Sequence, residues 1–529
     1  MDRSASIPAK TEGRGIAQAT GIIALGSISS RVLGLVREQI IAFFFGASGL
    51  VSAFGIAEII PKMIYEMLIG GMLSAALVPV FSQVREQEGD GALWSLFSRV
   101  ASLVAIVLAA VVLLLEVFAQ QAAWLLGGGF EPELQVVLTR MIRIISPATL
   151  FFGLSGVVTG LLYARKRFTF PAFGAAVYNL GTIITVPLLA GQLDAFSLAL
   201  GVLFGSLLQL LILTPDLRGV RLRFRLDLQN PALRRILVLY LPIVLGLVIS
   251  NVQIAIDRRL ASGTGASSVA WMDRATRLVQ LPHGVVAVAI SLAVLPTLSS
   301  FSALGDQAGF RRTLGLGLRL VLVLILPATV GLLMLAEPTI AVLFQHGEFT
   351  ARDTFWTAWA LRLYLLGLTF AAIDWPLNYS FYARQDTLTP ALVGVLSVGV
   401  YLAVALSLLR PLGMLGLVLA DSAKHFSHAL TMLVLTRRRI GSLADMKLGR
   451  TAFKALLAAG AMAGVIYLAS VAVRPWTDTQ AFADRLIALV IPGGLGAVAF
   501  LVLAAVLRID EVRLLRSLVL ERLPRRRLD

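Results

Sequence analysis

Charged residues recur inside long apolar stretches of this sequence, where a charge is costly. The string RVLGLVREQ carries Arg31, Arg37 and Glu38, and Arg31 and Glu38 share one helical face. A charge near the centre of a bilayer costs a few kcal/mol, so it usually faces a hydrated cavity or a partner. Because arginine binds phosphate oxygens with a bidentate fork, Arg31 and Arg37 are predicted to bind an anion in a cavity. The alternative is that both reach from a helix end to the membrane surface.

A second charged stripe consists of Glu58, Lys62 and Glu66, spaced four residues apart. This spacing places all three on one helical face, with each glutamate beside the lysine. We interpret the stripe as a self-neutralised ladder that lets a long helix line a hydrated cavity. The alternative is that Lys62 is released to bind an anionic ligand when parts of the protein move.

A third charged group lies in the second half of the chain. Asp273 and Arg277 form an i,i+4 pair in the favoured order, which leaves Arg274 without a partner on its own helix. Asp374 and Asp421 are isolated acids in apolar segments. Each is interpreted either as a cation or proton site or as a hydrogen-bonded structural acid.

The sequence offers little for catalysis or metal binding. It has no cysteine, which excludes disulfides and thiol chemistry. The histidines at positions 283, 346, 425 and 428 are scattered, so we predict no metal site. No GxxxxGK[ST] phosphate-binding loop and no Ser/His/Asp constellation is present. We therefore expect a protein that is not an enzyme and has no cofactor.

Composition indicates a membrane protein. The 529 residues are 58% hydrophobic and 14% charged, against about 25% charged in soluble domains. A mean hydropathy of +0.85 excludes both an ordinary soluble fold and a disordered chain. A net charge of +16 would suggest nucleic acid in a soluble protein. Here the basic residues lie in loops between apolar segments, so no nucleic-acid partner is expected.

The apolar runs predict fourteen transmembrane helices, since a crossing needs about 20 apolar residues. The predicted spans are 16–45, 50–83, 93–124, 133–163, 169–190, 194–214, 232–261, 267–299, 311–343, 352–382, 388–409, 413–436, 451–473 and 485–507. Arginine and lysine concentrate in alternate loops, above all in 215–235 and after 507. By the positive-inside rule, both termini and the 215–235 loop are predicted to be cytoplasmic.

An internal repeat is visible at an offset near 218 residues. Tyr163-Ala164-Arg165 with Pro171-Ala172 matches Tyr382-Ala383-Arg384 with Pro390-Ala391 at identical spacing. An even number of helices per repeat makes the two copies parallel. The predicted fold is therefore an all-α polytopic membrane protein with two parallel six-helix lobes around a central cavity and two extra C-terminal helices. The predicted divisions are 1–230, 231–440 and 441–529.

Several strings in this order resemble the MurJ (MviN) lipid II flippase family: SRVLGLVRE with FFFGAS, LVPVFSQ, RFTFPAF, the WM…RLVQLP…LPTLS segment, FQHGEFT and FYARQDTLTP. The resemblance implies a fourteen-helix, two-lobe exporter of the bacterial inner membrane. Its substrate would be an undecaprenyl-diphosphate-linked glycopeptide, moved outward by alternating access. Family cavity arginines map onto Arg31, Arg37 and Arg277, and a small residue that follows maps onto Ala42.

This sequence departs from the family pattern on its second helix. Ser52 stands where the family has an acid, and Tyr65 and Glu66 replace a basic pair. The expected substrate-binding set is Arg31, Arg37, Lys62, Arg274 and Arg277. The expected cavity and gating set is Glu38, Ala42, Ser52, Glu58, Glu66 and Asp273.

Because the cationic cavity is weaker on the second helix than the family pattern, other functions stay open. They are a flippase for another polyprenyl-diphosphate-linked glycan, a cation-coupled drug antiporter of the same superfamily, and a nontransporting scaffold for cell-wall synthesis. Membrane lipids and the wall-synthesis machinery are expected partners. The expected energy source is the membrane potential, an ion gradient or consumption of the product, and the sequence does not choose among them.

Overall fold

The computed structural model describes residues 9–67, 76–219, 222–227, 229–442, 444–477 and 481–514. These residues form a helical protein, and no strand occurs among them. The predicted all-α class is therefore confirmed. The helices are α1 Ala9–Phe45, α2 Gly49–Tyr65, α3 Val78–Glu88, α4 Asp90–Val117, α5 Ala119–Gly127, α6 Pro132–Ile145, α7 Ala148–Ala164, α8 Thr169–Leu193, α9 Phe196–Leu211, α10 Pro231–Ser262, α11 Ser268–Pro282, α12 Ala289–Ala303, α13 Gln307–Met334, α14 Ala336–Phe344, α15 Ala351–Tyr382, α16 Leu388–Leu412, α17 Met414–Ile440, α18 Leu448–Val473 and α19 Phe482–Val506.

Ten helical segments of the described chain are long and apolar enough to cross a membrane, by length and composition. They are Asp90–Val117, Pro132–Ala164, Thr169–Leu193, Phe196–Leu217, Ser268–Ala303, Gln307–Met334, Ala351–Tyr382, Leu388–Leu412, Leu448–Trp476 and Phe482–Val506. Each coincides with one predicted span. The other four predicted spans overlap α1, α2, α10 and α17, so the total of fourteen stays a prediction.

The backbone separates into two compact units. The first holds the chain through Ala270 together with Gly347–Phe349, and the second holds Trp271–His346 and the chain from Thr350 onward. The predicted boundary between residues 230 and 231 would assign α10 to the second lobe. In the structure α10 packs on α4 and α5 of the first unit. The units follow packing whereas the predicted lobes follow the repeat, so the lobe boundaries stay a prediction.

In the first unit α8 packs between α1 and α9, and α7 packs on α4. A buried apolar cluster joins α3, α4 and α7 through Phe81, Phe97 and Leu161, which are at most 1% exposed. The rings of Phe81 and Phe97 meet edge to face, and their centroids lie 6.4 Å apart. Aromatic pairs favour this geometry.

In the second unit α17 packs on α15 and α16, and α18 packs on α13 and α19. The buried residues of α18 include Ala455, Ala458 and Met462. Small side chains let membrane helices approach closely, and close packing replaces the hydrophobic driving force that is missing between helices in lipid.

The same turn follows both copies of the Tyr-Ala-Arg string. Lys166 and Gln385 both take the left-handed conformation, at φ 59° and 61°. The amide of each donates to the carbonyl of the string's tyrosine at 2.9 Å. The guanidinium of Arg165 lies 4.7 Å from the ring of Trp94, and that of Arg384 lies 4.7 Å from the ring of Phe310. The repeat in the sequence is therefore a repeat in local structure as well.

Candidate functional site

A buried charge cluster joins three helices of the first unit. Arg37 of α1 is 3% exposed, and Glu58 of α2 is equally buried. One guanidinium nitrogen of Arg37 lies 3.0 Å from Glu58 Oε1, and the other lies 2.9 Å from Glu38 Oε1. A buried ion is tolerated only when its charge is balanced and hydrogen-bonded, and these two carboxylates meet that condition.

Two further side chains complete the cluster around Glu58 Oε1. Lys62 Nζ lies 2.9 Å from this oxygen, and the Tyr178 hydroxyl of α8 donates to it at 2.8 Å. With Arg37 and Lys62 opposed to Glu38 and Glu58, the cluster carries no formal net charge. Lys62 is 40% exposed, so it forms the open edge of the cluster. The cluster also has a spare donor, because Arg37 Nε is buried and has no acceptor among the described residues.

Sequence reasoning predicted this ladder in part. The pairing of Lys62 with Glu58 is confirmed, whereas Glu66 is exposed to solvent or lipid. Tyr178 was missed, because a tyrosine in an apolar helix carries no sign of its hydrogen-bond partner. Arg31 is exposed on α1, six residues before Arg37 and outside the cluster.

Two of the three positions that depart from the family pattern, Ser52 and Tyr65, have structural roles here. Ser52 is fully buried, and its hydroxyl accepts a hydrogen bond from the Ala270 amide at 3.1 Å. Tyr65 packs its ring on Phe152 at 6.0 Å. Ala42 is fully buried as well. A larger side chain at Ala42 or Ser52 would have no space without a shift of neighbouring atoms.

The remaining predicted arginines lie on α11 in the second unit. Arg274 is 2% exposed, whereas Asp273 and Arg277 are half-buried. Arg274 is therefore an enclosed side chain engaged by its surroundings rather than an open cation. Because Arg31 and Arg37 belong to the first unit, a cavity shared with Arg277 stays a prediction.

Asp374 and Asp421 are not isolated, and of the two interpretations their contacts favour the structural acid. Asp374 of α15 lies 3.1 Å from Nδ1 of His428 on α17. Asp421 lies 2.5 Å from Lys424 Nζ and 3.7 Å from His425 Nε2, all on α17. The sequence could not show the first pair, because it depends on the packing of α15 against α17. Among the described residues, no three histidine or acidic side chains converge in a way that could hold a metal ion.

Comparison with known proteins identifies the family. The model of the family described as "Lipid II flippase MurJ" matches residues 41–485. A Burkholderia cenocepacia protein named "Lipid II flippase MurJ" is 29% identical over 379 residues, which cover 70% of this chain and 73% of the relative. A "Probable lipid II flippase MurJ" of Bdellovibrio bacteriovorus is 28% identical over 462 residues, which cover 86% and 88%.

Solved structures agree with that assignment. The structure titled "Lipid II flippase MurJ, inward closed conformation" superposes with a TM-score of 0.77 at 26% identity, over 92% of this chain and 99% of that one. An inward-facing multidrug resistance MATE transporter of the MOP superfamily superposes with a TM-score of 0.65 at 14% identity, over 79% and 96%. That second likeness shows the fold alone. Since the family model covers most of the chain, this protein belongs to the lipid II flippase MurJ family.

Proposed function

We propose that this protein moves lipid II, an undecaprenyl-diphosphate-linked glycopeptide, from the inner to the outer leaflet of the bacterial inner membrane by alternating access. Membership of a flippase family makes the chain a transporter rather than an enzyme. The observation that carries the proposal is the buried Arg37 held with Lys62 and two glutamates in a membrane unit. An arginine fork suits a diphosphate, and the lipid tail can stay in the bilayer while the polar head crosses.

The cluster suggests how the two buried or half-buried cations stay balanced before a substrate binds. With no substrate, Glu58 balances Arg37 and Lys62. A diphosphate that reaches the open edge at Lys62 would compete with Glu58 for both cations. The buried Arg37 Nε would add a donor that no described residue uses. Substrate binding would thus exchange the anion that faces Arg37 and Lys62, so neither cation is left uncompensated. Glu58 would keep the Tyr178 hydroxyl as a donor and would have to take up a proton or turn towards water.

We assign the other predicted residues to the same transport step. Arg31 and Arg277 are proposed to contribute further positive charge to the diphosphate site, and the enclosed Arg274 is proposed to join them only when the protein changes state. Glu38, Glu58, Glu66 and Asp273 are proposed to balance those cations as the protein changes state, and Ala42 and Ser52 to allow close helix approach. The membrane potential, an ion gradient or consumption of the product would supply the energy, and contact with the wall-synthesis machinery is part of the same proposal.

The experiment is complementation of cells depleted of their own lipid II flippase, combined with a lipid-flipping assay in vesicles. A charge-assisted contact to phosphate contributes about 1.5–3 kcal/mol. Arg31→Ala or Arg277→Ala should therefore slow transport about ten- to hundredfold. Arg37→Lys should restore growth and lipid flipping only in part, because lysine keeps the charge but cannot bind phosphate through two parallel hydrogen bonds.

The control must be an exposed arginine, because Arg274 is enclosed and its loss would disturb packing. Arg410, exposed at the end of α16, serves this purpose, and Arg410→Ala should transport normally. Wild-type flipping by inserted Arg31→Ala and Arg277→Ala variants would overturn the cationic-site mechanism. If the wild-type protein inserts into the membrane but does not restore growth of the depleted cells, a flippase for another polyprenyl-diphosphate-linked glycan or a nontransporting scaffold would be favoured.

A further inference from the structure

A basic cavity of about 490 Å³ lies in the second unit, lined mainly by the part of the chain that follows the repeat. It opens where α18 begins and α19 ends, against a wall formed by α13. Its acidic lining residues are Asp510 and Glu511. Its basic lining residues are Arg319, Lys447, Arg450, Lys454, Arg508 and Arg513. The excess of positive charge indicates an anionic ligand.

Two of these cations, Arg319 and Lys454, form hydrogen bonds that join the segments lining the cavity. Arg319 Nε lies 2.5 Å from Glu511 Oε1, and its Nη1 donates to the Met446 carbonyl at 2.7 Å. Lys454 Nζ donates to the Leu507 carbonyl at 2.6 Å, where it caps the C-terminal end of α19. Glu511 is therefore committed to Arg319 and does not reduce the positive charge that faces the opening.

The other four cations, Lys447, Arg450, Arg508 and Arg513, are exposed around the opening. Among the described residues, none of the four has a carboxylate within ion-pair distance. Asp510 remains as the acid that opposes them. The N-terminus of α18 also opens here, with no acidic residue in its first turn, so its backbone N–H groups add to the positive potential.

Two of the four cations occupy backbone positions that favour glycine. Lys447 and Arg508 both have a φ of 52°, in the left-handed region. A non-glycine residue is strained there, because its Cβ crowds the neighbouring carbonyl oxygen. Both side chains line the same cavity, so a variant with glycine at one of these positions can remove a cation without adding strain.

Exposed apolar side chains of α18 and α19 lie close to the cavity residues along the chain. Val506 lines the cavity, and Phe453 and Val502 are 64% and 57% exposed nearby on α18 and α19. Both helices are among the candidate membrane spans, so exposed apolar side chains there face lipid. A ligand with a phosphate head and an acyl tail fits this arrangement better than a free anion.

We propose that this cavity binds the phosphate of an anionic phospholipid, with the acyl chains along α18 and α19. Basic clusters at the ends of membrane helices attract anionic headgroups, and each cation close to the surface contributes about a fivefold change in affinity. The proposal is independent of the transport function, because none of its residues belongs to the Arg37 cluster.

The test uses the full chain, purified and delipidated, with dioleoylphosphatidylglycerol, dioleoylphosphatidylcholine or inorganic phosphate as the probe. The variant is Arg450→Gln/Arg508→Gly, because glycine at position 508 relieves the left-handed strain while it removes the cation. The matched control is Arg437→Gln/Arg438→Gln, which removes two exposed arginines at the end of α17 outside the cavity. Lipid binding is measured by native mass spectrometry, and folding by the midpoint of thermal unfolding.

We expect phosphatidylglycerol to bind more tightly than phosphatidylcholine. The cavity variant should bind phosphatidylglycerol about 20- to 30-fold more weakly at unchanged or higher thermal stability, and the control should stay within about twofold of wild type. Equal binding of phosphatidylglycerol by wild type and the cavity variant would overturn the proposal. Stabilisation by inorganic phosphate with no preference between the two lipids would overturn the phospholipid assignment and indicate a free anion.

Discussion

Arg167 and Asp386 stand at equivalent positions in the two halves of the chain and form ion pairs of opposite polarity. Arg167 Nη1 lies 2.7 Å from Asp216 Oδ1, whereas Asp386 Oδ2 lies 2.5 Å from Arg439 Nη1. Each residue directly follows the left-handed turn after a Tyr-Ala-Arg string. The first pair joins its turn to the 3-10 turn Thr214–Leu217 that follows α9, and the second joins its turn to the last turn of α17. The two copies of the repeat thus keep the link but build it from different residues.

The first prediction concerns the pH dependence of this turn in the second unit. The amide and hydroxyl of Thr389 both donate to the Asp386 carboxylate, which with Arg439 holds the pKa of Asp386 below its ordinary value. A lowered pKa contributes stability that is present above the ordinary carboxyl pKa of about 4 and is lost as the pH falls through the folded-state pKa. Asp386→Asn should therefore lower the thermal midpoint near neutral pH, and the difference from wild type should shrink in acid.

The matched control for that experiment is Arg439→Gln. It removes the exposed ion pair but leaves both threonine hydrogen bonds, and exposed ion pairs contribute at most about 1 kcal/mol. Its loss of stability should be the smaller one. Equal midpoints for Asp386→Asn and wild type near neutral pH would show that the turn does not depend on this carboxylate.

The second prediction separates a structural from a substrate-binding role for the Arg37 cluster. Glu58→Gln removes the carboxylate that Arg37 and Lys62 share, so the fold should lose about 1–3 kcal/mol. If the diphosphate replaces Glu58, the same variant should bind lipid II more tightly, because the competing anion is gone. Thermal unfolding and equilibrium binding of lipid II measure the two effects separately. A variant that loses stability and lipid affinity together would leave Glu58 a structural role alone.

Tyr178→Phe provides the companion variant for the same cluster. It removes one neutral hydrogen bond to Glu58 and keeps every charge, so it should cost about 0.5–1.5 kcal/mol. Its affinity for lipid II should change far less than that of Glu58→Gln.

The third prediction tests whether Asp374 and His428 stabilise the packing of α15 on α17. Removing either partner leaves a buried polar group without its neighbour, whereas removing both leaves none. In a cycle of Asp374→Ala, His428→Ala and the double variant, the coupling free energy should be about 0.5–3 kcal/mol. Thermal unfolding of the four proteins measures it, and additive effects of the single changes would contradict the pairing.

The helical class and the repeat could be predicted from the sequence, because both depend on local sequence patterns. Apolar length fixes where a helix can span, and the Tyr-Ala-Arg strings fix the turn that follows. The sequence also predicted the Glu58–Lys62 pair, which lies on one helix. It did not predict Tyr178 beside Glu58 or His428 beside Asp374. Those contacts depend on how α8 and α17 pack, which composition and spacing do not specify.

The last prediction concerns the orientation of the chain, with both termini and the 215–235 loop in the cytoplasm. The protein has no native cysteine, so introduced cysteines report without background.

Gly128 is a poor labelling site, since a Cβ there would meet the Arg259 guanidinium and the Trp124 carbonyl. Gly219 has a φ of 84°, which disfavours other residues. Glu131→Cys, Gly191→Cys and Arg218→Cys avoid these problems, because all three positions are exposed and have negative φ or open space. Intact cells treated with a membrane-impermeant maleimide should label positions 131 and 191 and leave 218 unlabelled until the membrane is opened. Labelling of position 218 in intact cells would contradict this orientation and place the 215–235 loop outside the cytoplasm.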